Sequence, residues 1–280
     1  MPLRYDLHSH STASDGELSP TELVMRAHKL GVDVLALTDH DVTAGLAEAS
    51  MVADGLGLRL VPGVEISVTW KEQTVHILGL QIDPDNAELQ QGLAQLRTFR
   101  DGRAEEIGRR LERHGIAGAY AGAKQYAHGP IVSRTHFARF LVEQGHAKDM
   151  QQVFKRFLVK GKPGYVSVQW ASLEDAVGWI CAAGGQAVVA HPARYKMTAT
   201  RLRLLLDEFK QAGGAGMEVI SGSHSRDDYY VMADYAKRFG LLASSGTDYH
   251  GPTNPWLELG RLPELPAGCV PVWQEWNTSQ

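Results

Sequence analysis

The 280-residue chain predicts an α/β fold built from parallel strands, and three observations carry that expectation. Short apolar runs recur along the chain, helical stretches separate them, and ionisable residues stand where the runs end. The runs are Tyr5–His8, Val32–Leu37, Leu60–Ile66, Thr74–Leu80, Gln186–Ala190, Gly216–Ile220 and Leu241–Ser244, which gives seven candidate strands.

Between the runs lie helix signals. Ser19-Pro20-Thr21-Glu22 supplies Ser at the N-cap, Pro at the first helical position and Glu two positions later. Thr43 is expected to open a second helix, Ser172-Leu-Glu-Asp a third, and Asp227–Phe239 completes the series before the last strand. The spacing breaks once, where 105 residues separate the fourth run from the fifth. That interval reads as helical over Asn86–His114, Ser133–Glu143 and Lys148–Lys160. The predicted organisation is therefore a catalytic unit of residues 1–85 and 166–280, with 86–165 as a helical insertion capping it. The tail after Pro252 is expected to pack as irregular chain on the catalytic unit.

Charge separates the same two parts. From Arg97 to Lys162 there are 14 Lys and Arg against 6 Asp and Glu, while the whole chain has a net charge of −4. An acidic body with a basic middle segment points to two modules with different electrostatic tasks. The overall acidity argues against an extended surface for duplex nucleic acid. No apolar run approaches the roughly 20 residues that span a bilayer, and MPLRYDLHSH lacks the apolar stretch of a secretory signal. Two cysteines, Cys181 and Cys269, make neither a disulfide framework nor a Cys-based zinc site. The expected location is the cytoplasm.

The chemistry gathers at the ends of the runs. His8 and His10, two apart on the first strand, should point the same way. Thr38-Asp39-His40-Asp41 follows the second strand, Glu65 ends the third, His76 lies in the fourth and His191-Pro192 ends the fifth. Ser245-Gly246-Thr247-Asp248-Tyr249-His250 ends the seventh, and Asp15 lies in the loop after the first. One such residue means little, since an isolated histidine is as readily structural. Clustering at the edge where parallel α/β folds build their active sites argues for a metal centre.

Asp6-x-His8-x-His10, Asp15-Gly16, the Thr-Asp-His-Asp box, Gly63-Val-Glu65, His76, Ala190-His-Pro192 and Gly246-x-Asp248-x-His250 resemble the motifs of the PHP (polymerase and histidinol phosphatase) family in their usual order. The resemblance runs from residue 4 to about 250, apart from the insertion. It implies a distorted (β/α)7 barrel holding two to three divalent ions, manganese foremost, with iron or zinc as alternatives. Carried over, it gives one ion to His8, His10, Glu65 and Asp248. A second would go to Glu65, His76 and His191, and a third to Asp15, His40 and His250. Mixed imidazole and carboxylate ligands do not choose among those metals. Adjacent ions would make hydroxide available from water near neutral pH and bind phosphoryl oxygens. His191 and Asp248 are further candidates to handle protons.

In the insertion, Ser133-Arg134-Thr135-His136 begins a helix, and Lys160-Gly-Lys-Pro-Gly-Tyr165 forms a turn after a basic stretch. Arg134 and Lys160 are the candidate phosphate ligands, with Ser133, His136 and His224 behind them. Arg100, Arg103, Arg109, Arg110 and Arg113 read as a solvated helix face. A basic insertion over a phosphate-binding centre suggests a substrate with two phosphates, one reacting and one recognised. The expected activity, by resemblance, is phosphatase action on the 3′-phosphate of nucleoside 3′,5′-bisphosphates such as pAp. The alternatives are a 5′→3′ exoribonuclease on short 5′-phosphorylated RNA, a histidinol-phosphate phosphatase, and a non-catalytic metal-binding accessory module.

Overall fold

The computed structural model describes residues 3–277. Among them, seven strands run β1 (Tyr5–Asp6), β2 (Val34–Leu37), β3 (Arg59–Trp70), β4 (Gln73–Leu80), β5 (Gln186–Val189), β6 (Gly216–Ser221) and β7 (Leu242–Gly246), adjacent in that order in one sheet. The last strand returns to the first: Leu7 N–H donates to Ser245 O at 3.0 Å, Asp248 N–H donates to His8 O at 2.9 Å, and Ser9 bridges Tyr249. The sheet thus closes into a barrel.

The distortion has a local cause. β3 and β4 pair antiparallel, as do β4 and β5, whereas the remaining neighbours are parallel. The expectation of parallel strands throughout therefore fails at β4. A two-residue turn at Lys71 (φ 44°) and Glu72 (φ 67°) joins β3 to β4, and a parallel crossover needs a dozen or more residues. The reversal brings the N-terminal half of β4, and His76 with it, to the edge where its neighbours end.

Helix α1 (Pro20–Lys29) starts as the sequence predicts, with Ser19 and Glu22 forming a reciprocal capping box. Helix α2 (Leu46–Leu56) opens later than Thr43, whose hydroxyl accepts from Gln90 Nε2 instead of capping. Helices α3 (Ala87–Arg113), α4 (Ala119–Lys124), α5 (Arg134–Glu143) and α6 (Met150–Val153) follow β4, and a π-helical turn at Phe154–Leu158 ends that series. Then come α7 (Leu173–Ala182), α8 (Ala199–Gln211) and α9 (Arg226–Phe239). Amphipathic α8, which buries Leu202, Leu205, Leu206 and Phe209, was not anticipated.

Two apolar cores matter for the site. The main one packs the barrel against its helices and includes Leu89, Leu93 and Leu96 of α3. A separate one, with Ile107, Leu111, Phe137, Leu141 and Phe157, lies within the inserted helices. One long helix therefore spans both and fixes the inserted helices over the barrel rim. The tail is more than a covering: Val272 and Trp276 join Leu7, Val61, Leu78 and Val188 in a third core.

Candidate metal centre

Strand β1 ends at Asp6, so His8 and His10 belong to the loop beyond it rather than to the strand. They still converge, with their Nε2 atoms 3.1 Å apart. His8 Nε2 lies 3.4 Å from both Glu65 Oε2 and Asp248 Oδ1, and His10 Nε2 lies 3.3 Å from the same two oxygens. Donors about 2.0–2.1 Å from a tetrahedral ion stand about 3.3–3.4 Å from one another. These four side chains are therefore already spaced to share one cation.

The other five join them. Glu65 Oε1 meets His76 Nδ1 at 2.7 Å and His191 Nε2 at 3.0 Å. Asp15 Oδ1 lies 3.3 Å from His250 Nε2 and 3.9 Å from His40 Nε2, while His40 Nδ1 is 2.9 Å from Glu65 Oε2. All nine residues named as ligands by resemblance thus form one cluster with Glu65 at its centre. His10, Asp15, His40 and His250 form one group that can hold an ion, and His40, Glu65 and His76 another.

The donor set also fits a metal by what it lacks. Asp15 Oδ1, His40 Nδ1 and Glu65 Oε2 are buried, and although each lies close to a neighbouring group of the cluster, none of these approaches has hydrogen-bond geometry among the described residues. Each such group costs about 1–3 kcal/mol unless something completes it, and a cation is the partner common to all three. Burial raises the carboxyls of Asp15, Glu65 and Asp248, but the facing imidazoles outweigh it and hold all three well below the usual carboxylate range. The backbone is strained here as well. His191 (φ 30°) and Asp248 (φ 57°) both adopt the left-handed region, which persists only where surrounding contacts enforce it.

Further residues support the ligands. Asp39 accepts from Ser11 N–H and from the hydroxyls of Ser11 and Ser14, which shapes the loop that delivers Asp15. The hydroxyls of Ser133 and Thr135, at the start of α5, both donate to Asp15 Oδ2. Glu218 on β6 accepts from His8 Nδ1 and from His191 N–H. Of these, Glu218 had a readable signal, as a lone carboxylate in the buried run Gly216–Ser221.

Over the cluster lies a cavity whose walls carry Arg100, Arg103, Arg134 and Arg194. Arg100 is committed, donating to Asp41 Oδ2 at 2.6 Å and to Ser67 Oγ at 2.8 Å. Arg194 donates to Asp248 Oδ2 at 3.0 Å. Arg103 and Arg134 make no ion pair among the described residues. Arg103 lies 5.4 Å over the Trp170 ring with its buried Nε unpartnered, and Arg134 lies 5.6 Å over Phe154. Burial and the neighbouring Arg134 and Arg100 pull the Arg103 guanidinium down to about 9. Burial, with Arg100 and Arg194, lowers Arg134 in the same way.

The predicted substrate residues divide accordingly. Ser133 and Arg134 line the cavity, with the Ser133 hydroxyl tied to Asp15. Lys160 is exposed on its turn and outside the cavity lining. His136 is buried and accepts from Ser133 N–H at 3.0 Å, so it caps α5. His224 is buried between Val219 O and Ala193 N–H. Arg100 and Arg103, read as a solvated face, are instead turned inward against Trp170. Arg109 and Arg110 do lie on an exposed face, paired with Glu106.

The PHP domain profile matches residues 6–221, and the chain belongs to the PHP domain family. A 3′,5′-nucleoside bisphosphate phosphatase of Chromobacterium violaceum is 52% identical over 271 residues, covering 96% of this chain and 95% of its own. The 5′-3′ exoribonuclease Rnm of Escherichia coli K12 is 47% identical over 278 residues, 99% of this chain and 94% of its own. A solved amidohydrolase structure from C. violaceum, with bound sulfate and no metal, superposes with a TM-score of 0.94 at 52% identity, covering 97% of this chain and 95% of that one. No helix among the described residues is long and apolar enough to cross a membrane.

Proposed function

We propose that this chain is a metal-dependent phosphoesterase that removes the 3′-phosphate from nucleoside 3′,5′-bisphosphates such as pAp. The observation that carries the reading is one cavity with two complementary walls. One holds seven of the nine candidate ligands, with His8 and His10 buried outside the lining, and the other holds the guanidinium groups of Arg103 and Arg134, which make no ion pair among the described residues. The C. violaceum relative, named for that activity and similar over nearly the whole chain, supports the same substrate.

The nine ligands hold two to three divalent ions, with manganese the first choice and iron or zinc the alternatives. When bound, such ions supply a nucleophile from water near neutral pH and neutralise charge on the phosphoryl oxygens. The remaining work falls to side chains. Arg103 and Arg134 receive the phosphate that does not react, because each has an uncompensated charge facing the cavity. Arg194 donates to Asp248 Oδ2 at 3.0 Å and so orients the carboxylate whose Oδ1 faces His8 and His10, which suits Asp248 to the role of a ligand. His191 serves as a ligand, since its Nε2 faces Glu65 and its buried Nδ1 has no hydrogen-bond partner among the described residues. Residues 86–165 act as the cap that supplies the second phosphate's site.

A second reading, 5′→3′ exoribonuclease activity on short RNA, is favoured by the 47% identical Rnm relative. The same arginines would then hold a 5′-phosphate while a phosphodiester reacts. Release of phosphate or nucleotide from pAp, histidinol phosphate and a 5′-phosphorylated RNA trimer, each with Mn²⁺, tests both. Turnover of pAp well above the others supports the first reading, and preference for the trimer replaces it with the second. Turnover of histidinol phosphate alone overturns both.

A further inference from the structure

We infer that Glu218 is a positioning residue that keeps two metal positions in register, an inference that rests on reading the nine clustered side chains as metal ligands. Its carboxylate is fully buried in β6, and its two oxygens do different things. Oε1 accepts from His8 Nδ1 at 3.0 Å, and Oε2 accepts from the His191 backbone N–H at 2.5 Å. His8 belongs to the group with His10, Glu65 and Asp248, while His191 meets Glu65 on its other oxygen. One carboxylate therefore touches a ligand on each side of Glu65.

Each contact fixes something the ligand cannot fix alone. With its Nδ1 hydrogen given to Glu218, a neutral His8 must present Nε2 as a lone pair toward the cluster. His191 adopts φ 30°, a conformation unfavourable for a histidine, and the bond from its N–H to Glu218 holds it there. The backbone is shaped to deliver this carboxylate. The β6–β7 register shifts between Glu218 and Ile220, and such irregularities re-aim side chains beside active sites. Gly246 on β7 leaves the necessary room: a Cβ there would stand 2.3 Å from His8 Cβ and 2.9 Å from Glu218 Oε1.

Glu218→Gln tests this, because an amide has one acceptor group and one donor group and cannot accept from both N–H groups through separate oxygens. Equilibrium dialysis of the full chain against Mn²⁺ should show binding weakened by about 10- to 100-fold. The metal-free protein should lose some stability, because the amide leaves one of two buried N–H groups without an acceptor, and the readout specific to the inference is the rise in Tm on adding Mn²⁺, which should shrink. Glu218→Asp, which keeps the charge but draws it back by one methylene, should show the same selective loss and covers the case of a poorly folded amide variant. Wild-type Mn²⁺ affinity in both variants would overturn the inference. So would a lower metal-free Tm with an unchanged Mn²⁺ increment, which marks a purely structural carboxylate. If wild-type protein itself binds no Mn²⁺, the metal reading fails, a result distinct from a failure of Glu218 alone.

Discussion

The ligand face of the barrel and the arginine wall above it are buried charge problems of opposite sign. On the barrel, Glu65, Asp15 and Asp248 are surrounded by imidazoles, and Asp15 Oδ1 and Glu65 Oε2 have no hydrogen-bond partner among the described residues. On the inserted helices, Arg103 and Arg134 are packed over aromatic rings and make no ion pair among the described residues. Neither face is electrostatically complete, and under the proposed function a phosphorylated substrate on bound metal would complete both. The two faces differ in construction. The ligands are short side chains fixed by strand ends, and the arginines are long ones reaching from α3 and α5. That difference predicts different sensitivities, which mutation can separate.

The largest effect should come from the barrel face. Asp248→Asn removes the negative charge, and His10→Ala the imidazole, from the group of His8, His10, Glu65 and Asp248 whose histidine nitrogens lie 3.1–3.4 Å from the other ligand atoms. Metal content and activity should fall together, with kcat/KM down on the order of a thousandfold, given the several kcal/mol that metal ions contribute to phosphoryl transfer. Chelation of wild type should reproduce the loss, and far-UV circular dichroism should show the fold retained. Full activity in metal-stripped protein would remove the barrel face from the comparison.

The arginine wall should respond more weakly and more selectively. A charge-assisted hydrogen bond to phosphate is typically worth about 1.5–3 kcal/mol, or roughly ten- to a hundredfold in kcat/KM. Arg134→Ala and Arg103→Ala should each cost that much with a bisphosphate while leaving a simple monophosphate ester nearly untouched. The ratio of kcat/KM for the two substrates is the measurement. An equal loss on both would move these arginines to the reacting phosphate.

The two faces also differ in how far they could be read from sequence. The clustering of the nine candidate ligands was legible because strand ends in an α/β fold share one edge, and the family resemblance completed the set. Even so, the H-x-H pair converges through a loop rather than along β1, and His76 arrives because β4 runs backwards. Helix starts marked by Ser19 and Ser172 were legible for the same local reason. The arginine wall was not. Arg100 and Arg103 lie in a mixed-charge stretch that looks solvated, and only tertiary partners turn them inward: Trp170 for both, with Asp41 and Ser67 for Arg100. Lys160 fails in the opposite direction, with local charge that suggests phosphate and a turn that points to solvent. Lys160→Ala should accordingly change kcat/KM by less than about twofold, the scale of an ordinary surface substitution. A tenfold loss on bisphosphate would return Lys160 to the site.

The smallest effect concerns the joint between the faces, where α5 docks on Asp15 through Ser133 and Thr135. His136 caps that helix, with Nδ1 accepting from Ser133 N–H at 3.0 Å, a bond that requires an unprotonated nitrogen. Burial is the main cause holding the ring down to about 4; Asp15 opposes the shift, while Arg139, His128 and Arg100 add to it. The folded pKa therefore lies below the ordinary value of about 6.5. As pH falls from about 6.5 toward 4, the unfolded chain gains a proton that the native state refuses, and stability is lost at up to about 1.4 kcal/mol per pH unit. His136→Gln keeps an acceptor at the same capping position and removes the titration. Denaturant unfolding of both metal-free proteins at pH 7, 6 and 5 isolates this ring, since the other histidines titrate alike in each. The variant should lose less stability than wild type over that interval, and the gap should open only below about pH 6.5. Parallel curves would mean that His136 takes its proton within the fold, and that the cap tolerates a charged ring beside Asp15.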